Sequence, residues 1–151
     1  MTEATASAAR PLDTAALQRM LAGNMFAPWV RELDLRVLEL RPGEVLLALT
    51  VAPRHVHGGG VLCGQTTMAA ADTAMVLAIS AQLGGFRPMT TVQLQTSFLR
   101  PIPAPAAGET AEARVTARVL RSGKSLVFGE IEVADAAGRL AAHATTTYAL
   151  L

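Results

Sequence analysis

A chain of 151 residues with a net charge of +1 suits one domain, and its 51% hydrophobic and 17% charged content supplies a core and excludes a disordered chain. Charged residues are scattered, with no basic stripe and only 4% aromatic residues, which argues against a nucleic-acid-binding surface. The single cysteine permits no intrachain disulfide, so a reduced, cytoplasmic setting is expected.

Residues 1–11, which begin MTEATASAAR, are mostly small and polar and lack the apolar stretch of a secretory signal. They are expected to form a flexible tail ahead of one domain over residues 12–151. The segment DTAALQRMLAG predicts a short helix: Asp13 can cap its start, Leu17, Met20 and Leu21 share a face, and Gly23 and Asn24 end it. LDLRVLEL alternates as a strand does, and RPGE at 41–44 is a turn. Val45, Leu47, Leu49 and Val51 then alternate with Leu46, Ala48 and Thr50 in a second, more buried strand.

The next stretch, HVHGGGVLCGQTTMAAADTAM, opens with two histidines and three glycines and runs into an apolar segment. Val61 to Leu83 is about the length of a membrane span. Asp72 in its middle, with Gln65, Thr66, Thr67, Thr73 and Ser80, points instead to a buried helix of a soluble protein. Ala69, Ala70, Ala71, Ala74 and Ala78 put small side chains on all sides of that helix, so a sheet would have to curl about it.

Four more strands follow GGFRP. In the first, Val92, Leu94 and Phe98 alternate with Thr91, Gln93, Gln95 and Ser97, and the prolines of RPIPAPAAGE end it. Ala113, Val115, Ala117 and Val119 mark the next, and RSGK at 121–124 is a tight hairpin connection. Val127, Ile131 and Val133 continue, ADAAGR turns, and LAAHATTTYALL is the last strand. The order predicts an α+β domain: a mostly antiparallel sheet with one long helix lying on it.

A curled antiparallel sheet wrapped on one long helix is the hotdog fold, and the residues carry the resemblance further. AADTA, Ala70 to Ala74, matches the end of a motif of the hotdog acyl-CoA thioesterases of the phenylacetate-degradation type. Fifteen residues before Asp72 stands His57-Gly58, where that family has Asn-Gly; nine before it stands Cys63-Gly64-Gln65, where the family has His-Gly-Gly. The strand TTVQLQTSFLRPI matches the family strand that ends Phe-Leu-Arg-Pro, and over roughly residues 25 to 150 the chain resembles this family.

Thioester hydrolysis needs an attacking oxygen and donors for the oxyanion. Asp72, an isolated acid among alanines and methionines, is the candidate base or nucleophile, and the resemblance puts the family's catalytic carboxylate there. Gly64 lies at the first turn of the helix, where N–H groups are free, and matches the family glycine that faces the thioester carbonyl. The resemblance also implies that the glycine end of one subunit's helix faces the carboxylate of the other. The active site would then lie across a homodimer, itself expected to pair as a dimer of dimers.

His57 stands where the family orients substrate or water, and a neutral imidazole can donate and accept one bond each. Thr91, with Thr90 as the alternate, falls where related enzymes place a hydroxyl near the carboxylate. Cys63 and Gln65 are expected to flank the substrate. Arg100, and Arg121 and Lys124 of the hairpin, match places where the family meets the nucleotide of coenzyme A. Coenzyme A would enter as part of the substrate, with no other cofactor. His55 and His57 have no convincing further ligands for a metal, and His143 reads as packing or surface.

Two other readings stay open. Cys63 near a helix start, with His57 six residues away, could form a Cys/His acyl-transfer site, although a small buried hydrophobe is the plainer reading. A non-catalytic module that binds acyl-CoA is the other.

Overall fold

The computed structural model describes residues 11–151; the tail expected over residues 1–11 lies, apart from its last residue, outside the described residues. Three helices and six strands follow one another as α1 (Thr14–Ala22), α2 (Pro28–Arg31), β1 (Arg36–Arg41), β2 (Glu44–Thr50), α3 (Gly64–Leu83), β3 (Met89–Phe98), β4 (Glu112–Ser122), β5 (Leu126–Ala134) and β6 (Leu140–Leu150). The strands form one antiparallel sheet in the order β1-β2-β4-β5-β6-β3. A single 3-10 turn, Pro53–His55, leads from β2 into the glycine loop.

α1 forms as its sequence predicts. The Asp13 carboxylate accepts the Ala16 N–H at 2.7 Å, and Leu17 and Leu21 are buried with Met20 packed beside them. The first strand starts later than LDLRVLEL suggests. Pro28 opens the extra turn α2, and the chain then reverses through Asp34, whose φ of 52° is left-handed. Leu33 and Leu35 are buried in that reversal, and pairing begins at Arg36.

α3 is the axis of the core. Eleven of its residues are buried, and it packs across β2, β4 and β5. Its alanines favour the helix and let the sheet approach closely. The two buried hydroxyls of its later turns are satisfied internally: Thr73 donates to the Ala69 carbonyl at 2.8 Å and Ser80 to the Val76 carbonyl at 2.7 Å. Gly84 closes the helix at φ 77°, and the Gly85 N–H donates back to the Ser80 carbonyl at 2.9 Å. Among the described residues no helix is long and apolar enough to cross a membrane.

At Gly129 in β5 the helix side chain Met75 lies directly on the sheet backbone. A Cβ there would stand 2.3 Å from Met75 Cε and 2.8 Å from the Arg118 carbonyl oxygen. Only a residue without a side chain lets Met75 sit fully buried at that spot. On the outer face Arg118 bridges three strands, bonded to Glu44 at 2.6 Å and Glu132 at 3.0 Å. Those carboxylates raise its already high pKa further.

The simple alternation expected for β3 does not hold along its length. Leu94 packs against the core and Phe98 lies against α3 at Gly64, but the ladder with β6 shifts register between Thr91 and Gln93. Val92 is the extra residue of this bulge and is 60% exposed. Beyond it the inward set changes from even to odd positions, so that Thr91 and Met89 face the helix. The bulge turns Thr91 rather than Thr90 toward the Asp72 side chain.

Candidate active site

Asp72 stands on the one stripe of α3 that the sheet leaves partly open, with Met68, Ala69 and Val76 at helical spacing beside it. Two hydroxyls reach the same carboxylate oxygen. Thr91 donates to Oδ1 at 2.9 Å, and Tyr148 of β6 donates to Oδ1 as well. The Tyr148 hydroxyl also lies 3.0 Å from the Asp72 main-chain carbonyl. Thr91 and Tyr148 are cross-strand partners, so the ladder between β3 and β6 delivers both donors to one point. Among the described residues no protein group bonds Oδ2.

Tyr148 is a neighbour of Asp72 that no motif in the sequence marks. Its ring is 1% exposed, and burial, followed by the charge of Asp72, pushes its hydroxyl pKa far above the ordinary 10. It therefore remains a protonated donor. A signal existed: it is the only tyrosine in the chain, at an inward position of the last strand.

Gly64 is the first residue of α3, and the Cys63 side chain makes no cap bond to the helix start. The Gly64 end opens into a cleft of about 390 Å³ lined also by His57, Thr67, Phe98, Leu99 and Arg100. The first-turn N–H groups and the positive end of the helix dipole therefore border that cleft. A Cβ on residue 64 would meet Phe98 Cζ at 3.2 Å, so the glycine keeps the ring close and the cleft narrow.

His57 sits at the cleft edge with its tautomer set locally. Its Nδ1 accepts the Gly59 N–H at 2.9 Å, which leaves Nε2–H as a free donor. The ring lies so close to Gly59 that a Cβ there would fall 2.7 Å from His57 Cε1. His55 is buried instead: its Nδ1 bonds the Thr50 carbonyl at 3.2 Å, and its own carbonyl accepts the Cys63 N–H at 2.8 Å. His143 bonds Glu130 on the outer face at 3.2 Å. No set of three His, Cys, Asp or Glu among the described residues could hold a metal ion.

Cys63 and His57 are not joined. The Cys63 Sγ lies 3.0 Å from the Thr66 hydroxyl and away from the cleft lining. Gln65 faces a different depression, of about 300 Å³, shared with Trp29, Glu32, Leu33 and Arg54. Arg100 lines the cleft, where it donates to the Leu140 carbonyl at 2.7 Å. Arg121 and Lys124 are exposed at the other end of the sheet. Phe98 pairs with Ala142 and Leu126 with Ala149, so about 23 Å of β6 separates the two cationic positions within one chain.

The carboxylate and the helix start are likewise apart. Eight residues of one α-helix separate Gly64 from Asp72, about 12 Å along the axis.

The family model of the thioesterase superfamily matches residues 55–142, from the histidine loop through α3 to β6. A Saccharolobus solfataricus protein named as an esterase is 29% identical over 119 residues, 79% of this chain and 80% of its own length. Among solved structures, zebrafish thioesterase superfamily member 2 superposes with a TM-score of 0.81 at 23% identity, over 93% of this chain and 99% of its own. A mutant of the phenylacetic acid degradation protein PaaI from Thermus thermophilus gives 0.71 at 27% identity, over 83% of this chain and 100% of its own.

Proposed function

The chain belongs to the thioesterase superfamily and has the hotdog fold, and from that premise we propose that it hydrolyses acyl-coenzyme A thioesters at a site completed by a second copy of itself. The observation that carries this reading is the state of Asp72. It is the one charged side chain of α3, held through Oδ1 by two hydroxyls, with Oδ2 left for water.

In this reading Oδ2 of Asp72 takes a proton from water, or attacks the carbonyl carbon directly. The carbonyl oxygen, as it gains charge, is bonded by the backbone N–H at Gly64 of the partner subunit. In the first case the water oxygen adds to the carbonyl carbon, the carbon–sulfur bond breaks, and the coenzyme A thiolate takes the proton held by Asp72; in the second the bond breaks to leave an acyl anhydride on Asp72, which water hydrolyses, its proton going to the thiolate. His57 Nε2–H donates to substrate or water at the cleft mouth, and Arg100 meets the phosphates of coenzyme A, with Arg121 and Lys124 contributed from another subunit.

Two features support self-association. The stripe of α3 that bears Asp72 is only partly covered by its own sheet, and the edge strand β3 exposes Val92 and a row of unpaired backbone groups. The pairing of dimers would use the outer sheet face, where Leu120, Leu126 and Phe128 are exposed.

Complementation tests the reading. Asp72→Asn keeps the two hydroxyl bonds to Oδ1 and removes the charge, while Gly64→Pro removes the N–H. Each variant alone is expected to lose about 10²-fold or more of thiol release from an acyl-CoA panel. Subunits mixed and allowed to exchange should regain about a quarter of parent activity, because half of the dimers are mixed and each of those holds one intact site. Mixed dimers that form without any regain would refute the shared site. A folded Asp72→Asn protein with full turnover would refute the carboxylate.

A further inference from the structure

The geometry points to Tyr148 as a positioning residue for the reacting carboxylate: its hydroxyl, with that of Thr91, saturates Oδ1 of Asp72 and thereby leaves Oδ2 as the oxygen that works. The inference rests on the reading of Asp72 as the reacting group, and it assigns a role to a strand residue outside the motifs that mark the helix.

The phenol is held from several directions. It is almost fully buried, and its register partners are Thr91 on β3 and Val127 on β5. A carboxylate on a helix can turn about its last torsion, and a single donor would leave both of its oxygens able to exchange places. Two donors from adjacent strands on one oxygen remove that freedom. Thr91 is exposed on an edge strand and its hydroxyl can rotate to solvent. Tyr148 cannot, so it is the stronger constraint.

The position also suits a group whose charge changes during the reaction. The phenol has one hydrogen and two acceptors within reach, Asp72 Oδ1 and the Asp72 main-chain carbonyl at 3.0 Å. With the carboxylate ionised, the hydrogen lies toward Oδ1, where a charge-assisted bond is stronger. When Oδ2 takes a proton from water, the same O–H can turn to the main-chain carbonyl. The donor follows the charge with no movement of a heavy atom.

The groups on the elements around Asp72 allow the effect to be isolated. The side chains that bond the carboxylate from β3 and β6 are the hydroxyls of Thr91 and Tyr148, and no ion pair of the described residues includes Asp72. A donor to the ionised form favours ionisation, so its removal raises the pKa of the acid. Burial keeps the phenol itself protonated, so it adds no titration of its own in the working range.

Two perturbations of opposite sign test this. Tyr148→Phe keeps the ring in the core and removes the hydroxyl. The acid limb of the kcat/KM profile on an acyl-CoA is expected to move up by about one pH unit, with KM changed by less than about threefold. Because Tyr148 is the chain's one tyrosine, feeding 3-fluorotyrosine alters this position alone. It makes a stronger donor, and the limb is expected to move down by about a few tenths of a unit. A ring that merely fills space would produce neither the direction nor its reversal.

Carboxyl-carbon NMR of labelled aspartate in the same proteins separates the two possible failures. An Asp72 titration that stays put in both proteins overturns the role of Tyr148 and leaves Asp72 as the reacting group. A titration that moves while the rate profile does not shows that Asp72 is not that group, and both assignments fall. If Tyr148→Phe does not fold, the fluorotyrosine protein gives either answer by itself.

Discussion

Gly64→Pro is the substitution that most directly separates backbone chemistry from helix structure. Residue 64 is the first position of α3, where a helix tolerates proline because that N–H has no partner within the helix. Cys63, the residue before it, has φ −72° and ψ 148°, which a following proline accepts. The new ring would meet Phe98, whose nearest carbon lies 3.2 Å from the ideal Cβ. Phe98 is 55% exposed and can swing aside, so the fold should hold to within about 1 kcal/mol. What disappears is one donor at the cleft. Loss of an oxyanion donor costs about 10²- to 10³-fold in kcat, about 2.7–4 kcal/mol. Gly64→Ala is the control, since it crowds the cleft at the same point but keeps the N–H; its loss in kcat should stay below about tenfold. Thiol release measured over a concentration series of acyl-CoA separates kcat from KM, and circular dichroism checks the fold. A folded Gly64→Pro protein with kcat within about threefold of the parent would refute the oxyanion role of the helix start.

Cys63→Ala should change turnover by less than about tenfold, because the thiol contacts Thr66 rather than the cleft; trapping of an acyl group on Cys63 by mass spectrometry would contradict this. Gly129→Ala should destabilise the fold by about 1–3 kcal/mol, read as a lower urea midpoint, since its Cβ overlaps Met75 and approaches the Arg118 carbonyl; an unchanged midpoint would show that the helix can shift. The turn after β5 should give a pH-dependent contribution. Asp135 accepts the backbone N–H of Arg139 at 2.9 Å, that of Ala137 at 3.0 Å and the Arg139 side chain at 2.8 Å, and these hold its pKa below the ordinary 3.8. A depressed folded pKa gives stability that is present above the unfolded value and lost as pH falls through the folded one. Asp135→Asn should therefore lower Tm at neutral pH and converge on the parent in strong acid, and an equal difference at both would exclude the carboxylate.

The sequence by itself determined the parts of this protein that short-range patterns encode. The alternation of Val45, Leu47 and Leu49 dictates β2, the all-round alanines of α3 dictate a helix enclosed by sheet, and Gly84 dictates its end. Composition singles out Asp72 as the one charged residue of α3, and the resemblance to the thioesterase motif marks Gly64 at its first turn. Their separation of about 12 Å is also fixed by helix geometry alone. Three features needed the tertiary structure. The bulge at Val92 exchanges the two faces of β3 and brings Thr91 to the carboxylate, because register is set by pairing with β6 and not by local composition. The separation of Cys63 and Gln65 from the cleft depends on which residues the fold packs around the helix start. Tyr148 meets Asp72 across 76 positions of the chain, and only the closure of the sheet around α3 makes that contact. A strand residue carries no local mark of what it will face, since its direction follows from the ladder that holds it.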